Sequence, residues 1–255
     1  MPQLEGKTAL IAGAGRNNGK AISLAFAREG ADLILVARER RAELEQVASE
    51  CGALGVKTLP LLGDVSDHEK VNSLVHRGLD HFGKVDVLVN VAGRRPHQDF
   101  WDISYEEWHR VFAVNVHSTF YLAKALAPSM IKRGKGGSII ALGGLASLTS
   151  MPQRAHVTAS KTALYGLIKS LALELGPYNI RANLIALSLI DNVRANPEWY
   201  PDKGTGKHTA SEMNGCALQR TGKPHEVANV AVFLASDQSS YVTGDRILCT
   251  GGKGM

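Results

Sequence analysis

The chain has 255 residues, 44% of them hydrophobic and 21% charged. That balance excludes a disordered or coiled-coil protein and suits one large domain or two small ones. The net charge of +5 comes from Lys and Arg scattered among Asp and Glu, so a mildly basic enzyme surface is expected rather than a nucleic-acid interface.

From the N-terminus, an apolar run at 8–11 leads into the turn Ala12-Gly13-Ala14-Gly15-Arg16-Asn17-Asn18-Gly19-Lys20 and a helix-period segment at 21–29. Apolar runs follow at 32–36, 57–61, 85–89, 138–142, 181–185 and 246–249. Between them lie helix-period segments at 43–51, 71–82, 108–130, 157–175 and 227–234. This alternation predicts an α/β protein with a doubly wound parallel sheet, helices on both faces, and a ligand crevice at the carboxyl ends of the strands. No repeat or low-complexity linker interrupts it, so one domain over 1–255 is expected. The least regular stretch, 191–215, is rich in Asn, Pro, Gly and Lys. Its length predicts a lid over the substrate pocket, with a plain surface loop as the alternative.

No run reaches the ~18 apolar residues of a membrane helix, and the first residues lack an export signal. Three widely spaced cysteines, Cys51, Cys216 and Cys249, form neither a disulfide framework nor a zinc motif, so the expectation is a cytoplasmic protein. No His/Asp/Glu cluster has metal-ligand spacing, and no metal is expected.

A glycine-rich turn between a strand and a helix allows a pyrophosphate to approach the backbone, and the helix N-terminus offers free N–H groups. The spacing is looser than G-x-G-x-x-G, so a simple connecting loop remains the alternative. The second strand ends Val36-Ala37-Arg38, where an NAD-selective site carries an acidic residue that accepts from the ribose. Guanidinium groups bind a 2′-phosphate well, so Arg38, with Arg16 in the turn, favours NADP(H) over NAD(H). The alternative is that Arg38, Arg40 and Arg41 only begin a solvated helix.

Four further motifs fall in order: Gly63-Asp64-Val65, Asn90-Val91-Ala92-Gly93, Asn115 within Val114-Asn115-Val116, and Ser160-Lys161. With the glycine turn, they make the chain similar to the short-chain dehydrogenase/reductase family, through Tyr241-Val242-Thr243-Gly244 and Gly251-Gly252. The resemblance implies a Rossmann fold and a dinucleotide site. Gly13 and Gly19 would shape the phosphate turn, with Arg16 and Asn18 beside it. Asp64 and Val65 would recognise adenine. Asn90, Ala92, Gly93 and Ile190 would lie along the cofactor. Asn115 would help hold a proton-relay water. Lys161 would bind the nicotinamide ribose and tune a neighbouring phenol.

That phenol is missing. The family's Tyr-x-x-x-Lys reads Val157-Thr158-Ala159-Ser160-Lys161, and the serine expected thirteen residues earlier is Gly144. The Pro-Gly expected after the sixth strand reads Leu187-Ser188, and the turn has Ala12 and Asn17 for Thr and Gly. General acid–base catalysis contributes ~10²–10⁴-fold and one oxyanion donor ~10²–10³-fold, so both losses fall on the reacting end.

Lys161, desolvated beside Val157, is one candidate for the proton; ribose binding alone is the other. His156 lies about 100° around the helix from the lost tyrosine, which argues against direct replacement. Arg94, Arg95 and His97 leave the fourth strand near the crevice and are candidates to hold an anionic substrate group. The hydroxyls of Ser147, Thr149, Ser150, Thr158, Ser188 and Tyr200 are not ranked by sequence. Trp101, Trp108 and Phe112 are expected to pack helices. Three readings follow: an NADP(H)-dependent oxidoreductase of a small carbonyl or alcohol with an unusual proton donor; a silent nucleotide-binding subunit; or lyase-type chemistry. The resemblance implies a homo-oligomer, tetramer or dimer.

Overall fold

The computed structural model describes residues 2–193 and 214–254. Its centre is a seven-stranded sheet in the order β3-β2-β1-β4-β5-β6-β7, with every neighbouring pair parallel. The strands are β1 (Thr8–Ala12), β2 (Asp32–Ala37), β3 (Thr58–Leu62), β4 (Val87–Asn90), β5 (Gly137–Leu142), β6 (Ile180–Leu187) and β7 (Arg246–Cys249). All five residues of β1 are buried, because both faces of a parallel sheet are covered. The chain winds outward through β1, β2 and β3, then returns to place β4 on the other side of β1. That reversal opens a crevice beyond the carboxyl ends of β1 and β4.

Alternate side chains of each strand feed two cores. Ala9 and Ile11 join Ile22 and Phe26 of α1 (Asn17–Arg28), Leu44 and Val47 of α2 (Arg41–Gly52) and Val227 and Ala231 of α7 (Pro224–Ala235). Leu10 and Ala12 join Leu74 and Val75 of α3 (His68–Phe82), Leu122 and Leu126 of α5 (Ser118–Arg133) and Leu164 and Ile168 of α6 (Ala155–Leu175). Helix termini follow local chemistry. Asp67 caps α3 by accepting from the Glu69 and Lys70 N–H groups, and Gly83 ends it at φ +73°. No side chain caps α1.

The stretch expected as one helix over 108–130 is different. Helix α4 (Tyr105–Phe112) runs through a π-helical turn, Ala113–His117, into α5. The helical path is continuous, but the wider turn inserts a residue at Asn115, and apolar periodicity does not register such an insertion. Within the 191–215 stretch, residues 194–213, Tyr200 among them, lie outside the described residues. No helix among the described residues is long and apolar enough to cross a membrane.

Candidate functional site

The glycine turn has the geometry of a phosphate cradle. Gly13 has φ +84°, and a Cβ there would lie 3.2 Å from the Ala92 nitrogen and 3.3 Å from the Val91 Cβ. A Cβ at Gly19 would lie 1.9 Å from the Gly13 carbonyl oxygen, so α1 rests directly on the turn. Asn17, where the family has glycine, adopts the left-handed conformation at φ +50°, which asparagine tolerates better than most residues. Asn18 is buried, and its Oδ1 has no hydrogen-bond partner among the described residues. An uncapped helix terminus above two forced glycines, with an orphaned buried amide, fits a dinucleotide pyrophosphate.

Beyond β1 and β2, two other guanidinium groups act on that of Arg16. The pKa of Arg16 is pushed down, first by burial and then by Arg40, with Arg38 adding a smaller push. Arg38 is exposed and donates to the adjacent Glu39 carboxylate at 2.6 Å, which raises its pKa. Such an exposed pair is weak in water and opens readily to a competing phosphate. Arg40 also takes a left-handed backbone, φ +65°, at the start of α2. Arg40, which the sequence left open as part of a solvated helix start, is exposed and pairs with Glu43 at 2.9 Å. Beyond β3, the Asp64 carboxylate accepts from the Ser66 N–H at 2.9 Å and its hydroxyl at 2.7 Å, while Val65 is buried in the core.

Beyond β4 and β5, two asparagine struts and one lysine are brought together. Asn90 donates to the Ser118 and Thr119 hydroxyls at 2.7 and 2.8 Å and accepts from the Ala92 N–H at 3.1 Å, which ties β4 to the start of α5. Asn115, presented by the π turn, accepts from the Arg94 N–H at 2.7 Å. Its Nδ2 donates to the Arg94 carbonyl and the Ser160 hydroxyl, each at 2.9 Å. Both donors of that amide are therefore committed to protein. Lys161 is buried, and its Nζ donates to the Leu142 carbonyl at 3.0 Å. A Cβ at Gly93 would lie 3.7 Å from that Nζ and 3.8 Å from the Asn115 Oδ1. Ile190, just past β6, is buried and bridges to Gly222. Burial first, then the nearby Arg95, lowers the Lys161 pKa to about 8.

Val157 is buried one helical turn before Lys161. Gly144 has ordinary extended backbone, and the nearest atom to a Cβ there is the Leu187 oxygen at 3.7 Å. Most neighbouring hydroxyls are engaged: Ser147 donates to the Gly144 carbonyl at 2.8 Å, Ser160 to the Val157 carbonyl at 2.9 Å, and Ser150 pairs with Thr158 at 3.2 Å. His156 is fully buried, with neither ring nitrogen partnered among the described residues. Burial pushes its pKa down, against the pull of Glu107 and with Arg154 and Arg94 adding to the fall.

The loop after β4 is less uniformly cationic than its sequence implied. Arg94 forms a two-pronged ion pair with Glu107 of α4, at 2.7 and 2.8 Å. His97 Nε2 is bonded to the Arg154 guanidinium. Neither partner was singled out from sequence, since Glu107 lies 13 residues away and Arg154 lies 57. Trp108 stacks on Phe112 of the same helix with ring centroids 5.1 Å apart, whereas Trp101, expected to pack helices, is 80% exposed. Three residues of a short 3-10 turn, Phe100–Asp102, hold it on the surface.

Comparison with known proteins accords with this geometry. A family profile described as "Enoyl-(Acyl carrier protein) reductase" matches residues 13–253. The L-rhamnose 1-dehydrogenase (NAD(P)(+)) of a Sphingomonas species is 33% identical over 252 residues, covering 99% of this chain and 98% of that protein. The 3-oxoacyl-(acyl-carrier-protein) reductase of Thermotoga maritima is 36% identical, with 98% of each chain covered. The crystal structure of carveol dehydrogenase from Mycobacterium avium in complex with NAD superposes with a TM-score of 0.92 at 26% identity, covering 99% of both chains. Matched from its glycine turn to its final glycines and alike in fold along nearly its whole length, the chain belongs to the short-chain dehydrogenase/reductase family.

Proposed function

We propose that the chain is an NADP(H)-dependent oxidoreductase of a small carbonyl or alcohol substrate, in which Lys161 handles the proton that a tyrosine and serine pair handles in ordinary family members. The observation that carries this reading is the Lys161 ammonium: buried, one turn from an apolar residue, with its pKa lowered to about 8. A general acid works best when its pKa lies near the operating pH. The positive charge of Arg38 and Arg40 acting on Arg16 beside the glycine turn supports the phosphorylated dinucleotide.

Gly13, Arg16, Asn18, Gly19 and Arg38 would hold the phosphates, Asp64 and Val65 the adenine, and Asn90, Ala92, Gly93, Lys161 and Ile190 the nicotinamide half. A reduced nicotinamide bound there would supply hydride to the substrate carbon. Lys161 Nζ gives its proton to the oxygen as that charge develops, and the neutral amine takes the proton back from an alcohol in the reverse direction. Asn115 holds the Arg94 backbone and α6 together, which keeps the site's floor rigid. Arg95, whose charge reaches Lys161, favours a substrate with an anionic group. The exposed Phe120 of α5 and Leu173 of α6 accord with a homo-oligomer, dimer or tetramer.

Fluorescence titration with NADPH and NADH tests the cofactor, and absence of binding at high micromolar concentration refutes it. The pH profile tests the lysine. Reductive kcat/KM falls above pH 8, where the ammonium loses its proton, and oxidative kcat/KM rises over the same range. A flat profile from pH 6 to 10 refutes the role. A second reading, a silent subunit partnering an active homologue, draws on the absence of a hydroxyl at both Val157 and Gly144. Turnover by the isolated protein excludes it.

A further inference from the structure

The segment 189–193, which follows β6, is fastened at two points. At its near end, the Asp191 N–H donates to the Gly222 carbonyl and the Gly222 N–H donates to the Leu189 carbonyl, each at 2.9 Å. Lys223 adds an ion pair to Asp191 at 2.6 Å. At its far end, the Asn17 side chain grips the backbone of Val193 at two points. Its Nδ2 donates to the Val193 carbonyl at 2.9 Å, and its Oδ1 accepts from the Val193 N–H at 3.0 Å.

The topology gives this contact its meaning. Strand β6 lies three places from β1 in the sheet, roughly 14 Å at the usual strand spacing. Asn17 opens α1, directly beyond β1 and the glycine turn. A tether from the exit of β6 to Asn17 therefore passes over the carboxyl ends of β5, β4 and β1, where the nucleotide crevice opens. A glycine at position 17 has no side chain to make it, so the latch belongs to this chain's departure from the family pattern.

We propose that Asn17 is a positioning residue that latches residues 189–193 over the dinucleotide and slows cofactor release. This rests on the dinucleotide reading above. Asn17→Gly removes both hydrogen bonds while keeping a residue that accepts the left-handed backbone. Asn17→Asp keeps an acceptor for the Val193 N–H. Two neutral hydrogen bonds at a partly exposed site correspond to about a fivefold to tenfold change in rate.

Hydrogen exchange without nucleotide is read first. The Val193 amide exchanges faster in Asn17→Gly and keeps its protection in Asn17→Asp. Stopped-flow displacement is read second, and NADPH leaves Asn17→Gly about five to ten times faster than the parent. Unchanged Val193 exchange in Asn17→Gly overturns the latch, and faster exchange with unchanged NADPH release overturns its role in holding cofactor. A parent that binds no NADPH refutes the dinucleotide reading, while the exchange measurement still decides whether the latch exists.

Discussion

Replacing Lys161 with methionine exposes a trade between stability and chemistry. In the unfolded chain the lysine titrates near ~10.4, whereas burial and Arg95 bring it to about 8 in the folded protein. Below pH 8 the lysine is protonated in both states, and the folded state bears the whole penalty of a desolvated charge. Between about 8 and 10.4 the folded lysine has lost its proton while the unfolded one keeps it, so stability rises with pH. Above that range both are neutral and the penalty is gone. The separation of the two pKa values corresponds to roughly 3 kcal/mol. Lys161→Met removes that penalty but also the bond to the Leu142 carbonyl, which offsets about 1–2 kcal/mol. The variant is therefore expected to be more stable at pH 7 by about 1–2 kcal/mol, which raises Tm by about 2–8 °C for a chain of this size. The advantage shrinks to nothing or reverses by pH 10.5, while turnover at pH 7 falls by about 10²–10⁴-fold. Thermal melts at pH 7, 8.5 and 10.5 beside steady-state assays measure both. A Tm gap between variant and parent that does not change with pH would refute the claim that the buried ammonium is destabilising.

Gly19→Ala drives a methyl group into the Gly13 carbonyl and lifts α1 off the turn, so NADPH affinity drops at least about tenfold in a fluorescence titration and Tm falls. Arg16→Ala and Arg38→Ala each weaken NADPH by about 10–100-fold and leave NADH within about twofold, the scale of one lost charge-assisted bond to phosphate. Equal loss for both nucleotides would instead mean a structural role for these arginines. The double variant Gly144→Ser, Val157→Tyr restores the two hydroxyls; the serine enters ordinary extended backbone with 3.7 Å of clearance, and carbonyl reduction rises at least about tenfold. No gain in a correctly folded double variant would show that the missing hydroxyls do not limit this enzyme.

How much was legible beforehand depended on how local each signal was. The strands stood out because buried parallel strands read as short continuous apolar runs, as in Thr8–Ala12. The π turn at Asn115 was hidden, since one inserted residue leaves helical periodicity nearly intact. That Gly144 and Val157 stand at the counted positions relative to Lys161 is read directly along the chain. Which remaining groups surround that gap could not be counted. His156, next in sequence to Val157, is buried with neither ring nitrogen partnered among the described residues.

By itself, then, the amino-acid order determined the winding of the sheet, the position of the glycine turn, and which side chains at the reacting end lack a hydroxyl. These follow from periodicity, spacing and residue type, all of which act over a few neighbouring residues. Only the tertiary structure decided that Gly13 and Gly19 touch, that Glu107 claims Arg94, that Lys161 loses its solvent, and that Asn17 meets Val193 across 176 residues of chain. Burial and long-range hydrogen bonding are properties of the packed whole. They set the lowered proton affinity of Lys161 and the contact between Asn17 and Val193.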